Sequence, residues 1–509
     1  MNVVLFRHDE LIHEELIHDL FLLDFLLDFV LDPHRVRGTM SATLPTQTEG
    51  NGRNGGSPLP PIPRHVLALA GVVVLGSFMT VLDLTIVNVA LDHLSRAFDA
   101  PLSVIQWTVT GYSLALATVI PVTAWAVGRY GAKRVFLTAV TLFTLGSALT
   151  GLAWNAGSLI AFRVLQGLGG GMIVPVAMTV VLRAAPPERK GTMMGILGIP
   201  VLIGPMAGPI LGGVFTDSLS WRWIFFVNVP VGALTLLLGA RVMRGDDERI
   251  RRPLDLAGLL TLSPGLAALL YGLTLGGERG DFGTPGVVVP LVAGTALVAA
   301  FVVRALRADH PLLDLRLLRR ASVGRAVATM VPFSAAYFGS MILVPLYWQQ
   351  ERGLSATEAG LLMAPQFLFS GTVMQFSSRV SDRVATRAIV VPGVLVAAAG
   401  FLAFAVQAGS DTPYWRLVAS LAVMGTGVGM TNMPVMASAT RGLADSEVAA
   451  GSTALSIILQ MSASVGTALT ALLLTATAGF RTTLLCGVGL LALALPMALR
   501  LPRSRPSSN

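Results

Sequence analysis

The sequence predicts an all-α integral membrane protein with fourteen transmembrane helices. Three observations carry that prediction. Charged residues make up only 13% of the 509 residues, about half the share found in a soluble globular chain. Apolar runs of about 20 residues, the length that crosses a bilayer as a helix, fill most of residues 65–500. Basic residues crowd into every second connecting loop.

In chain order the predicted spans are roughly 65–90, 104–126, 134–154, 158–182, 191–215, 223–242, 255–275, 285–306, 323–347, 357–377, 388–407, 415–438, 447–475 and 480–500. They are helices because they lack the alternation of a barrel strand and are about twice as long as one. The loops on the side of the first span's N-terminus hold 21 Lys and Arg residues, from Arg129 to Arg441. Those on the other side hold only Arg96, Arg222, Arg279, Arg352, Arg416 and Arg481. Basic loops stay in the cytoplasm, so both termini are predicted to be cytoplasmic in a multi-pass cytoplasmic-membrane protein. One miscounted span would scramble the alternation. All seven tryptophans sit near span ends, as an interfacial aromatic belt requires.

Several function classes drop out. A single cysteine, Cys486, rules out an internal disulfide framework, a cysteine zinc site and an iron–sulfur cluster. No histidine falls mid-span, so neither a histidine proton relay nor an intramembrane metal site is expected. There is no GxxxxGK[ST] phosphate loop, and GLGGG (167–171) lies inside a span. The basic residues are scattered in short loops rather than clustered, which argues against nucleic acid as a partner.

The first 62 residues differ from the rest. Residues 8–32 repeat His, Asp, Glu, Leu, Ile and Phe. They read either as an amphipathic surface helix or as a translated upstream repeat with the natural start at Met40; the second is preferred. Residues 41–62, rich in Gly, Asn, Pro, Ser and Thr, read as a disordered lead-in.

A charge at mid-bilayer costs roughly 2.5–3.5 kcal/mol on insertion scales and is a functional hypothesis by default. Asp83 lies deep in the first span and Arg163 in the fourth. Opposite in sign, they are predicted to face one central cavity, where a carboxylate could load and release a proton as water access alternates. A fixed structural ion pair is the competing reading. The fifth span, GILGIPVLIGPMAGPILGGVF, adds a second signal. Gly204, Gly208 and Gly212 form a stripe that admits a close helix neighbour, and Pro205 and Pro209 bend the helix. Gly213 completes the run.

These residues resemble the major facilitator superfamily, and within it the fourteen-span drug:proton antiporters. LDLTIVNVAL (82–91), FRVLQGLGGG (162–171), GPMAGPILGG (204–213), WRWIFFVNVPVG (221–232) and PLLDLRLLR (311–319) carry the likeness, which covers residues 65–500. The superfamily's loop motif after span two reads AWAVGRYGAKRV (124–135), keeping Arg129, Gly131, Lys133 and Arg134 but with Gly128 where the family usually has Asp. A degenerate second copy, SRVSDRVATR (378–387), keeps Asp382 and Arg383. Two such motifs 254 residues apart suggest duplicated halves.

The resemblance implies a major facilitator fold of two six-helix bundles plus two extra spans. The division expected is an extension (1–62), an N-terminal bundle (63–245), two inserted spans (246–310), a C-terminal bundle (311–500) and a tail (501–509). It implies no enzyme and no catalytic residue. It implies instead a carrier exporting lipophilic drugs or antibiotics against a proton gradient, with Asp83 and Arg163 in proton coupling, no metal and no bound cofactor. A monomer in the bilayer with a small-molecule substrate is expected. The cavity lining is read as Asn88, Gln106, Tyr112, Met341, Gln366, Met374, Asn432, Met433 and Gln460. A proton-coupled transporter of one defined metabolite is the alternative.

Overall fold

The computed structural model describes residues 62–245, 253–354, 356–409, 411–441, 443–477 and 479–502. The N-terminal extension through residue 61, with its repeat and Met40, lies outside the described residues, as does the tail from residue 503. All fourteen apolar segments form helices. They are α1 (Arg64–Ala97), α2 (Trp107–Tyr130), α3 (Ala132–Gly151), α4 (Ala156–Ala184), α5a (Lys190–Leu197) with α5b (Ile199–Ser218), α6 (Trp223–Val242) and α7 (Leu256–Arg279). Then follow α8 (Pro285–Arg307), α9 (Ala321–Leu346), α10 (Ala356–Val380), α11 (Thr386–Gln407), α12 (Tyr414–Arg441), α13 (Asp445–Thr477) and α14 (Phe480–Ala498). Eleven helices among the described residues are long and apolar enough to cross a membrane. The remaining segments are α5, α10 and α12. Gln, Ser, Thr, Gly and Asn interrupt the apolar runs of α10 and α12.

Local chemistry explains the breaks. Pro121 has no N–H to donate, and α2 tightens to a 3-10 turn over Ile120–Val122. Ser263 of α7 donates to the Thr118 carbonyl at that break, 2.6 Å away. The turn from α2 to α3 needs Gly131, whose φ of 88° is unfavourable for a residue with a side chain. The fifth predicted span divides at Gly198 into α5a and α5b.

The helices pack in two sets that repeat with an offset of eight. α1 packs on α5b and α6, and α9 packs on α13 and α14. α4 packs on α2 and α3, and α12 on α10 and α11. α3 meets α6 as α11 meets α14. This is the packing signature of a duplicated bundle. α7 and α8 have no counterpart: they pack on each other, and α7 reaches α2 of one half and α13 of the other. Asp255 fixes the start of α7. Its carboxylate caps the helix at the Gly258 N–H, pairs with Arg304 of α8 at 2.7 Å and accepts from the Leu312 N–H. Burial pushes this carboxyl up, but the Arg304 guanidinium and the two N–H donors outweigh it and hold Asp255 below the ordinary carboxylate range.

Candidate functional site

Asp83 and Arg163 meet. Arg163 Nη1 lies 2.6 Å from Asp83 Oδ2, and both side chains are buried, at 1% and 0% exposure. Spacing along α4 adds a third member. Gln166 is three residues past Arg163 and so shares its face. Its Oε1 accepts from Arg163 Nη1 at 2.9 Å, while its Nε2 donates to Asp83 Oδ1 at 2.8 Å. Asn228 of α6 donates to the same Oδ1 at 3.3 Å and to Ser147 Oγ at 3.1 Å. Arg163 Nε donates to the Thr108 carbonyl of α2 at 3.1 Å. Its guanidinium lies over the Tyr112 ring, 4.1 Å from the centroid, a contact that adds roughly 2 kcal/mol when desolvated. The network therefore joins α1, α2, α4 and α6 through one carboxylate.

Gln166, Asn228, Thr108 and Ser147 were not among the predicted site residues. Gln166 and Asn228 stand inside motifs that carry the resemblance, and a polar side chain in an apolar run was the available signal. The Thr108 carbonyl is backbone, so no side chain announced it.

The second motif copy forms a latch between the halves at the basic end of the bundle. Asp382, buried in the α10–α11 turn, accepts from the Gly191 N–H at 2.7 Å, the Thr192 N–H at 2.8 Å and the Thr192 hydroxyl at 2.5 Å. These N–H groups open α5a, so a carboxylate there meets both orphan donors and the positive end of the helix dipole. Arg441, in the last turn of α12, pairs with Asp382 at 3.3 Å. Gln375 adds a bond to the Gly195 carbonyl at 2.8 Å. A Cβ on Gly191 would collide with the Asp382 carboxylate, so the latch requires glycine there.

The first motif copy is different. Arg129 and Arg134 are exposed, as is Arg383 of the second copy. Lys133 donates to the Ala240 carbonyl at 2.7 Å, at the C-terminal end of α6. Gly128 faces open space, and a cavity of about 130 Å³ there is lined by Gly128, Arg183, Ala449 and Ala450 among others.

In α5b, Gly204 and Gly208 touch α1. Thr85 donates to the Gly204 carbonyl at 3.1 Å, and a Cβ on Gly208 would strike Thr85. Gly212 is buried and Gly213 faces open space; Pro205 and Pro209 lie within the helix. The nine expected cavity residues are spread over α1, α2, α9, α10, α12 and α13, with Gln106 just before α2. Asn88 and Gln106 line a cavity of about 260 Å³. Tyr112 belongs to the charge network. Gln366 is buried with its backbone against α12 at Gly425, and Met374 abuts Gly198. Met341, Asn432, Met433 and Gln460 are half-buried on α9, α12 and α13.

Known proteins resemble this chain in sequence or in fold. The Major Facilitator Superfamily profile matches residues 73–467. A Mycobacterium tuberculosis (strain ATCC 25618 / H37Rv) protein named "Multidrug resistance protein B homolog" is 41% identical over 437 residues, covering 85% of this chain and 81% of its own length. The "Multidrug export protein EmrB" of Haemophilus influenzae is 32% identical over 82% of each chain. Among solved structures, the human organic anion transporter MFSD10 matches with a TM-score of 0.62 at 16% identity, over 85% of this chain and 99% of its own. The proton:xylose symporter XylE matches with a TM-score of 0.59 at 14% identity, over 85% and 94%. Likeness to these two structures speaks to the fold alone.

Proposed function

We propose, from the premise that this chain belongs to the major facilitator superfamily, that it exports lipophilic drugs or antibiotics from the cytoplasm in exchange for protons. It is a transporter, not an enzyme, and needs no cofactor beyond the proton gradient. The relatives named for multidrug resistance and export support the drug class. The observation that carries the mechanism is the buried 2.6 Å pair of Asp83 and Arg163.

The positive-inside rule assigns the basic end, and both termini, to the cytoplasm. The Asp382 latch then closes the cytoplasmic face, and the outward side is where exchange occurs in this state. A proton reaching Asp83 from outside neutralises the carboxylate. Arg163 loses its counter-charge, and Gln166 and Asn228 lose the acceptor they share. α1, α2, α4 and α6 are then free to rearrange, and the carrier reopens inward, where release of the proton restores the pair. Neither proton nor drug crosses unless the other resets the site. The carrier works as a monomer, with the six-helix bundles 63–245 and 311–500 rocking about the seam bridged by the pair 246–310.

Inverted membrane vesicles test this reading. Acidifying the lumen should drive accumulation of a fluorescent lipophilic drug, and Asp83→Asn should abolish accumulation while leaving gradient-free drug exchange. Accumulation that ignores both the gradient and the substitution would overturn the mechanism.

A further inference from the structure

The cavity of about 260 Å³ lies between α1, α2 and α7, in the half away from the basic end. Its walls combine amides and hydroxyls (Asn88, Gln106, Thr110, Ser113, Thr274) with aliphatic side chains such as Leu270. No charged side chain lines it among the described residues. α7 is held to α2 at two places near the cavity. Ser263 holds the Thr118 carbonyl at 2.6 Å, and Trp107 stacks on Tyr271 with ring centroids 5.7 Å apart. These contacts fix α7 against α2 where the cavity opens between them.

Its position also couples it to the charge network. Asn88 follows Asp83 by five residues, which turns it about 140° around α1. One face of α1 thus holds the carboxylate and another lines the cavity. On α2, the Thr108 carbonyl and the Tyr112 ring hold Arg163, while Thr110 and Ser113 line the cavity. A ligand that shifts α1 or α2 from this side moves the groups that hold the ion pair on the other.

We infer that this cavity is a ligand subsite to which the inserted helix α7 contributes Leu270 and Thr274, and that it takes a neutral amphipathic molecule with several hydrogen-bonding groups. The inserted pair is then part of the transport path and not merely a spacer between bundles. This deepens the exporter reading and rests on it only for the small-molecule nature of the ligand.

The single cysteine makes the test clean. In full-length protein carrying Cys486→Ser, a reporter is introduced as Thr274→Cys or Ser113→Cys, with Ala97→Cys, exposed at the end of α1, as control. The probes are chloramphenicol and Nile red, both neutral, and ethidium, a cation. With a neutral probe at ten times its Kd, maleimide labelling of both reporters slows about tenfold through site occupancy, while the control is unchanged. Leu270→Trp, which fills the cavity from α7, removes the protection. Labelling that neither neutral probe slows, or that ethidium slows equally, overturns the inference. Protection without gradient-driven transport of the same probes would uphold the subsite and overturn the exporter reading, so the two failures are distinguishable.

Discussion

The two halves of the molecule share a packing plan but divide the charged chemistry between them. In the N-terminal half, the interior holds Asp83, Arg163, Gln166 and Asn228 in one buried network. The corresponding interior of the C-terminal half, where α9 meets α13 and α12 meets α10 and α11, presents Tyr337, Gln366, Thr431 and several methionines. At the basic end the division reverses. Asp382 of the C-terminal half clamps α5a, whereas its N-terminal counterpart is Gly128 beside an empty space. The two halves pack alike, but each carries only one of these two charged features. On the mechanism proposed above, the buried ion pair in one half senses the proton, the Asp382 contact in the other closes the carrier, and the seam between them moves.

The largest expected break of this asymmetry is Arg163→Ala. It leaves Asp83 buried without its counter-charge, a loss of about 3–5 kcal/mol for a buried pair. Purified protein should melt at a clearly lower temperature. Asp83→Asn combined with Arg163→Gln, which leaves no unpaired charge, should recover most of that stability without recovering gradient-driven transport. Full stability in the Arg163→Ala variant alone would mean that the pair is not load-carrying.

Asp382→Asn acts on the latch instead. Hydrogen bonds to a charged group contribute about 1.5–3 kcal/mol each, and the amide keeps only part of the capping geometry. The thermal melt should change little, because the cost falls on one conformation. Opening at the basic end should rise by roughly tenfold for each 1.4 kcal/mol lost. A cysteine at Gln375→Cys, in the Cys486→Ser background, would read this as faster labelling from the cytoplasmic side. Unchanged labelling would show that the two halves are held by packing alone.

Much of this was legible in the sequence, for identifiable reasons. An apolar run of twenty residues has few alternatives to a membrane helix, and a lone Asp or Arg within one is too costly to be incidental. That Asp83 would meet Arg163 followed from sign and depth. Asn228 was harder, because its role depends on a helix 145 residues away arriving at the same carboxylate. The target of Asp382 was not legible at all. It is the free end of α5a, 190 residues distant, and a helix N-terminus has no side-chain signature when Gly and Thr occupy it. Nor does the sequence say how the expected cavity residues sit together, since they are spread over α1, α2, α9, α10, α12 and α13 and depend on how those helices pack.

Gly128→Asp gives the smallest expected effect and sharpens the comparison most. The empty space accepts the side chain, since nothing lies within 4 Å of a Cβ built there. Arg183, in the last turn of α4, stands where Arg441 stands in α12. The restored carboxylate would thus have an arginine beside it, and a simple symmetry argument predicts a second latch as strong as the first. The helix it faces argues otherwise. Asp382 reaches Gly191 and Thr192 in the first turn of α5a, whose N–H groups have no helical partner. Gly128 faces Ala449 and Ala450, but α13 begins at Asp445, so these residues lie in its second turn with their N–H groups already bonded within the helix. A carboxylate at 128 gains one partly exposed ion pair, about 0–1 kcal/mol, and no cap. Transport by Gly128→Asp should therefore stay within about fivefold of the wild type by that same margin, and labelling at Gln375→Cys should hardly slow. A strongly locked variant would show that the charge pair, rather than the helix cap, gives the Asp382 latch its strength.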